Sequence, residues 1–296
     1  MRLQVYHRTR YQYGSPVSES FNEARLQPVE VPLQRVHSFD LRISPQASFK
    51  CQKDFYQNHV HRFDILGLHQ ELLVEATSVV TTTRPDLPAE DAEVYPLSEM
   101  HRCLVMDRCY DFLQPSAYIV PDEVSRALAR EILQGELDAW RACLRIMTFI
   151  HEGFRYQAQV TNAHTTMAEA LELRQGVCQD FANVMIGLCR GLHIPARYVS
   201  GYLYNGPADQ LRGAQASHAW VEVYLPGLGW LALDPTNAQA AGERHVKLAV
   251  GRDYADVSPF KGTYRGTAQR TLGVEVLVTP LEDSPGIVPD LHRQAV

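Results

Sequence analysis

The sequence is poor in cysteine, has no long apolar segment and has no excess of basic residues. Its six cysteines are scattered over 296 residues and never form a CxxC pair, which argues against a disulfide scaffold and a structural zinc site. No run of about 18 apolar residues occurs, so no membrane span is expected. The formal charge of −6 lacks the basic footprint of a nucleic-acid binder. We therefore expect a protein that binds neither nucleic acid nor membranes.

The remaining composition is that of a globular protein. Hydrophobic residues make up 45% of the chain and charged residues 21%, which argues against a mostly disordered chain. The opening residues, MRLQVYHRTRYQY, contain no apolar segment of the signal-peptide type, so we expect a cytoplasmic location with reduced thiols. The length predicts one large domain or two ordinary ones.

The hydropathy pattern divides the chain into four parts. Residues 1–84 contain short runs that alternate with period two, such as His37–Ile43, and predict an N-terminal β-sandwich. Residues 85–121 are interrupted by prolines and acidic residues, as in a linker or wrapping segment. Helical periodicity followed by strands predicts an α+β domain over residues 122–280, and a frayed tail over 281–296.

Cys178 is the first candidate for chemistry. It follows a glycine-containing turn and begins the clearest predicted helix, Gly176–Leu192. The N–H groups and the dipole at a helix N-terminus stabilise a thiolate, and a thiol nucleophile also needs a base within hydrogen-bond distance. The alternative is a small buried core residue, which is the interpretation we favour for Cys189 on the same helix.

His218 and Asp234 are the candidates for the base and its partner. Two predicted strands flank a Pro-Gly-Leu-Gly turn, and if Gly227 is its centre, Asp234 lies opposite Trp220. His218 then lies two residues further along the same face, at a diagonal separation of about 7–8 Å that allows an Asp–His hydrogen bond. The aspartate would orient the histidine, which would take the thiol proton. Taken singly, each residue could also be an ordinary strand histidine or turn aspartate.

Four motifs give the sequence a resemblance to a known family. They are GVCQDFA (176–182), IPARYVSGYL (194–203), SHAWVEVYLPGLGW (217–230) and LDPTN (233–237). In order and spacing they resemble the bacterial transglutaminase-like family, over roughly residues 142–279, and the first 80 or so residues resemble the β-domain that precedes this core in many members. The resemblance implies a papain-like core, in which a helix bearing the cysteine packs on an antiparallel sheet bearing the histidine and aspartate.

The same resemblance assigns roles to the candidate residues. It implies that Cys178 is the nucleophile, His218 the base and Asp234 the orienting acid. The Cys178 N–H can supply one oxyanion donor, and an acyl-transfer enzyme commonly has a second. Tyr156 resembles an aromatic position upstream of the nucleophile in related sequences, and is either a donor, a pocket wall or a packed core residue.

Two more residues are candidates for the pocket. Gln179 directly follows the nucleophile in the sequence. Trp220 shares the face of His218 and could roof the pocket, although packing is the interpretation we favour.

Together these residues predict a thiol-dependent acyl transfer. The cysteine would attack an amide carbonyl, release an amine and leave a thioester on the enzyme. The resemblance favours water as the acceptor, and therefore a cysteine peptidase or amidase acting on a peptide or protein substrate without a metal or other cofactor. The alternatives are a transglutaminase with an amine acceptor, a non-catalytic binding protein on the same fold, and acetyl transfer as in the arylamine acetyltransferases.

Overall fold

The computed structural model describes residues 1–206 and 217–281, so the tail predicted for 281–296 lies outside it from residue 282 onward. The strands are β1 (Arg2–Ala24), β2 (Gln34–Ser44), β3 (Phe49–Lys53), β4 (His59–Ile65), β5 (His69–Thr82), β6 (Arg155–Tyr156), β7 (Gln175–Gly176), β8 (Ala196–Leu203), β9 (Ser217–Leu225), β10 (Gly229–Asp234), β11 (Gln239–Ala240), β12 (His245–Gly251), β13 (Phe260–Arg265) and β14 (Arg270–Pro280). The helices are α1 (Asp107–Tyr110), α2 (Glu123–Leu133), α3 (Ala139–Gly153), α4 (Met167–Leu173), α5 (Cys178–Gly191) and α6 (Tyr254–Val257), with 3-10 helices at Leu97–Val105 and Asp111–Leu113. Within these described ranges, none of the helices has the length and apolar character needed to cross a membrane.

The N-terminal domain is a curled antiparallel sheet organised by β1, which is 23 residues long. Residues 2–12 of β1 pair with β5, and residues 20–24 pair with β4. Because β1 belongs to both the part of the sheet that contains β5 and the part that contains β4, the sheet curls around a shared apolar core. Leu72 and Val74 of β5 enter this core at every second position, as the period of a strand requires. The predicted β structure is confirmed, in the form of one curled sheet.

Two strands from the C-terminal part of the chain complete this sheet. β14 pairs with residues 3–13 of β1, and β13 pairs with residues 18–24. Both strands lie in the range 122–280, which the sequence analysis assigns to the second domain, whereas their pairing partner β1 belongs to the N-terminal domain. Local alternation identifies a strand but carries no information about a partner so distant in the sequence.

The proline-rich segment 85–121 wraps around the helices of the second domain. The Asp138 carboxylate accepts the N–H groups of Val94 at 2.7 Å and Tyr95 at 2.8 Å, and it also accepts the Trp140 N–H at 2.9 Å as the N-cap of α3. The indole of Trp140 donates to the Ala89 carbonyl at 3.0 Å. These bonds give hydrogen-bond partners to backbone groups of the wrapping segment and to an N–H group in the first turn of α3.

The second domain places α5 at the centre of its core. An antiparallel sheet in the order β11-β10-β9-β8-β12 packs against α5, and α2, α3 and α4 cover the rest of the helix. The predicted arrangement of a cysteine-bearing helix on an antiparallel sheet with His218 and Asp234 is confirmed. Neither face of α5 is left to solvent, because almost every residue from Cys178 to Arg190 is buried.

The C-terminal turn of α5 is fixed by a buried cation. The Arg190 guanidinium donates to the carbonyls of Phe112, Gln114, Ala196 and Arg252 at 2.7–3.2 Å. Burial lowers the pKa of Arg190 to about 10. The side chain therefore joins the wrapping segment, α5, β8 and the turn after β12 at one point.

Candidate active site

Cys178 is the first residue of α5, and a short parallel strand pair sets its position. β7, which ends at Gly176, pairs with β6, so that Tyr156 lies beside Gly176. A Cβ at Gly176 would collide with the Asp180 carboxylate, so this approach requires glycine. Cys178 is buried, with 9% of its surface exposed.

Asp180 stabilises the turn that leads into α5. Its Oδ2 accepts the N–H of Val177 and the hydroxyl of Thr161, both at 2.7 Å. Burial raises the pKa of Asp180, although these hydrogen bonds act in the opposite direction. The first N–H groups of a helix have no partner within the helix, and a carboxylate in the first turn can accept them. Its negative charge also interacts favourably with the helix dipole.

His218 and Asp234 meet across the β9–β10 hairpin. The ladder pairs Leu233 with Val221, and its continuation sets Asp234 opposite Trp220, which is the register that a turn centred on Gly227 requires. Nε2 of His218 lies 2.9 Å from Oδ2 of Asp234. Nδ1 of His218 has no hydrogen-bond partner within normal distance among the described residues, so it is the ring nitrogen left for the thiol.

The electrostatics of the site favour an ion pair. Burial lowers the pKa of His218, but the charge and hydrogen bond of Asp234, together with the neighbouring Cys178, offset this and raise it to about 10. Burial raises the pKa of Asp234, and the charge of His218 with the hydrogen bonds of both histidines outweighs this and holds it well below its usual value. A charged imidazolium beside the cysteine stabilises a thiolate.

The Asp234 carboxylate has three further hydrogen bonds. The Thr236 N–H donates to Oδ1 at 3.0 Å, and the Asn237 amide donates to Oδ2 at 2.8 Å. Nε2 of His245 lies 3.2 Å from the same Oδ2. The sequence analysis missed His245, because it begins β12 at the far end of the sheet order and carries no local motif.

The two histidines and Asp234 also have the donor set of a metal site, with their ligand atoms all within 4.8 Å of one another. However, the Gly242 N–H donates to Nδ1 of His245 at 3.1 Å, so Nδ1 carries a lone pair and Nε2 carries the proton of the neutral ring. A metal ion at Nε2 would force that proton onto Nδ1, where it would oppose the Gly242 N–H. The geometry therefore fits hydrogen bonds better than coordination.

The structure brings Tyr156 close to Cys178 and Asp234. Its ring packs edge-on against Phe181 with centroids 6.2 Å apart. Burial, followed by the charges of Cys178, Asp180 and Asp234, raises the pKa of Tyr156 to about 12, so its hydroxyl remains a donor at neutral pH. Tyr198, which the sequence analysis did not single out, is buried on β8, and after burial the Cys178 charge is the next cause of its raised pKa.

The other two pocket candidates have packing or structural partners. The Gln179 amide donates to the Ala163 carbonyl at 3.1 Å and so holds the loop before α4. Trp220 is buried, stacks on His218 with centroids 6.2 Å apart, and meets His245 edge-on at 5.2 Å. It therefore packs against both histidines of the site.

Comparisons with known proteins agree with this architecture. The sequence profile of the transglutaminase-like superfamily matches residues 126–235, and that of the bacterial transglutaminase-like N-terminal region matches residues 3–81. An uncharacterised protein of Mycobacterium leprae is 34% identical over 95% of this chain and 99% of its own length. The crystal structure of a candidate cysteine protease from Cytophaga hutchinsonii has a TM-score of 0.75 at 25% identity, covering 96% of this chain and 93% of that one.

A relative with a named activity matches part of the chain. It is a protein-glutamine γ-glutamyltransferase of Pseudomonas aeruginosa, 34% identical over 157 residues, which make up 48% of this chain and 23% of that enzyme.

Proposed function

The chain belongs to the transglutaminase-like superfamily, and from that premise we propose that it hydrolyses a peptide or isopeptide-like amide with a Cys178–His218–Asp234 triad. The observation that carries the proposal is the hydrogen bonding of His218. Its Nε2 is hydrogen-bonded to Asp234, while its Nδ1 remains available to exchange a proton with the thiol of Cys178. This division of the two ring nitrogens is what a base between a nucleophile and an orienting carboxylate needs.

The first half-reaction forms a thioester. The Cys178 thiolate attacks the amide carbonyl, and the oxygen that becomes negative accepts the Cys178 N–H. The Tyr156 hydroxyl is the second donor we assign to this oxygen. As the C–N bond breaks, Nδ1 of His218 gives its proton to the leaving amine, and Asp234 holds the ring in position throughout.

The second half-reaction releases the acid. Neutral His218 takes a proton from water at Nδ1, and the oxygen of that water attacks the thioester carbonyl. The C–S bond breaks and Cys178 leaves as a thiolate beside the newly formed imidazolium. With a primary amine in place of water, the same steps give transamidation, and the partial likeness to the Pseudomonas aeruginosa enzyme makes this the second candidate.

One experiment decides between the acceptors. The full chain is incubated with a mixture of tryptic peptides and folded proteins in H₂¹⁸O, with monodansylcadaverine as the amine. We expect ¹⁸O in new carboxyl groups and little fluorescent product, with Cys178→Ala abolishing the reaction. Cys189→Ala, on the same helix, is the matched control and keeps full activity.

The other outcomes are equally informative. Fluorescent amide without ¹⁸O would replace hydrolysis by transamidation. Absence of both products, with wild type and Cys178→Ala indistinguishable, would leave a binding protein on this fold.

We also propose a reducing compartment, the cytoplasm, as the place of action. The six cysteines are free, and two pairs of them are neighbours, Cys103 with Cys109 and Cys143 with Cys189. Thiols so close together persist where glutathione and thioredoxin keep them reduced. Thiol titration of the protein isolated under trapping conditions should find six; four or fewer would argue for an oxidising compartment.

A further inference from the structure

His245 is fixed by bonds at both of its ring nitrogens. The Gly242 N–H donates to Nδ1 at 3.1 Å, and Nε2 lies 3.2 Å from Oδ2 of Asp234. Because Nδ1 accepts, Nε2 carries the hydrogen and donates it to the carboxylate. Burial lowers the pKa of His245, so the ring is neutral at physiological pH. The histidine is therefore a neutral donor of fixed orientation.

This donor acts on the oxygen that binds His218. Oδ2 of Asp234 has His218 at 2.9 Å, Asn237 at 2.8 Å and His245 at 3.2 Å, while Oδ1 accepts the Thr236 N–H. Because both oxygens are held by hydrogen bonds, a rotation of the carboxylate plane would break at least one of them. Each added donor also withdraws some of the negative charge that would otherwise act on His218 alone.

A purely packing role accounts less well for His245. Its ring lies against Trp220, which an apolar side chain could also do. It also forms part of the wall of a cavity of about 830 Å³, which is bordered by residues 84–90. An apolar side chain would fill that position at no desolvation cost. A histidine there buries two ring nitrogens, which is unfavourable unless both are hydrogen-bonded.

We propose that His245 is a positioning residue that holds the Asp234 carboxylate against His218 and takes up part of its charge. The proposal rests on the proposed function, since it gives the triad a fourth member. In this role His245 acts through its hydrogen bond to Asp234 and not on the substrate.

The charge balance gives the direction of the effect. Without His245, the carboxylate of Asp234 interacts more strongly with the imidazolium of His218, and the imidazolium retains its proton more firmly. A more basic His218 is a poorer acid toward the leaving amine. Cys178, Tyr156 and Arg244 are further charged or titratable groups that interact with this cluster. The cavity beside His245 is also lined by Arg84, Asp86, Glu90 and Glu243.

The test compares two substitutions of similar size. His245→Leu removes the donor, whereas His245→Gln keeps an N–H for Asp234 and an oxygen for Gly242. His7→Leu, which removes another buried histidine that is hydrogen-bonded to Tyr202, is the control. The full chain is labelled with ¹⁵N-histidine, and NMR follows the His218 ring against pH and the proton shared by its Nε2 with Asp234.

We expect His245→Leu to raise the titration midpoint of His218 by about one pH unit and to move the shared-proton signal downfield. In His245→Gln the midpoint and the shared-proton signal should differ from the wild-type values by no more than about a third of that change. His7→Leu should change neither. For any amide that the wild type cleaves, kcat should fall about tenfold in His245→Leu with KM within about twofold.

Two results would overturn the inference. One is that His245→Leu changes neither the titration midpoint of His218 nor the signal of the shared proton. The other is a His245→Gln protein with native circular dichroism that behaves like His245→Leu, since the donor would then be irrelevant. If the wild type cleaves no amide, the proposed function fails, while the NMR measurement still decides the role of His245.

Discussion

The imidazole of His218 lies 2.9 Å from the Asp234 carboxylate because a single hairpin, turning at Gly227, sets both residues on one face. Their positions in the sequence differ by 16, and the strand ladder brings them together. Two of the three residues of the candidate triad are thus positioned by one local element. The position of the third, Cys178, depends on how α5 docks on that element.

Replacing Asp234 should reduce the reactivity of Cys178. Asp234→Asn removes the charge that raises the pKa of His218, so the imidazolium that stabilises the thiolate is less populated. We expect the rate of Cys178 alkylation by iodoacetamide at pH 6 to fall about tenfold or more, measured by peptide mass spectrometry. Asp256→Asn, at a carboxylate paired with Arg252, is the control, and an equal loss there would contradict the explanation.

Replacing Gly176 should disturb the start of α5. In Gly176→Ala the new methyl group collides with the Asp180 carboxylate, which must move away from the Val177 N–H. We expect a loss of about 1–3 kcal/mol in unfolding free energy by urea titration, together with slower alkylation of Cys178. Gly153→Ala, where nothing lies within 4 Å of the added carbon, should leave both unchanged.

Replacing Arg190 should destabilise the whole second domain. Arg190→Met removes the donor to four carbonyls, which lie in three segments of the chain. Each such group costs about 1–3 kcal/mol, so we expect at least about 3 kcal/mol in unfolding free energy. Arg126→Met removes an exposed pair with Glu123 on α2 and should cost less than about 1 kcal/mol. Similar losses for the two variants would refute the role assigned to Arg190.

Acid should destabilise the fold through a buried histidine of β1. Burial lowers the pKa of His7 from 6.5 to about 4, so the unfolded chain binds a proton that the folded chain excludes. This stabilisation is complete above pH 6.5 and is lost as the pH falls toward 4, by up to about 3 kcal/mol. His7→Gln should remove that part of the decline between pH 7 and 4.5 in urea titrations. A parallel decline in both proteins would exclude His7 as its source.

Metal removal should leave the activity intact. The hydrogen bond from Gly242 to His245 opposes coordination at the donor set formed with His218 and Asp234. We therefore expect exhaustive dialysis against EDTA to leave amide turnover and Cys178 alkylation unchanged. Complete loss that a single added metal restores would contradict this.

Local patterns explain why the hairpin and the helix could be predicted. The period of a strand and the turn at Gly227 determine the faces of His218 and Asp234, and a glycine-containing turn before an apolar helix marks Cys178. The curled form of the N-terminal sheet and the pairing of β14 with β1 could not be predicted in this way. They depend on contacts between residues separated by most of the chain.

Side-chain partners were predictable only where they are local. His245 reaches Asp234 from another strand, and Tyr198 comes near Cys178 only once β8 packs against α5. Gln179 shows the reverse case, because its neighbour in the sequence is Cys178 but its hydrogen-bond partner is Ala163. Sequence adjacency to the nucleophile does not decide where a flexible side chain points.

The insertion of β13 and β14 beside β1 has a consequence for biosynthesis. A ribosome releases residues 2–24 first, but the strands that pair with one side of them are translated only after the whole second domain. Until then β1 has an open edge, which is a site for pairing with other chains. A nascent chain halted before residue 260 would carry that edge exposed, and would be a natural client for a chaperone that binds extended segments.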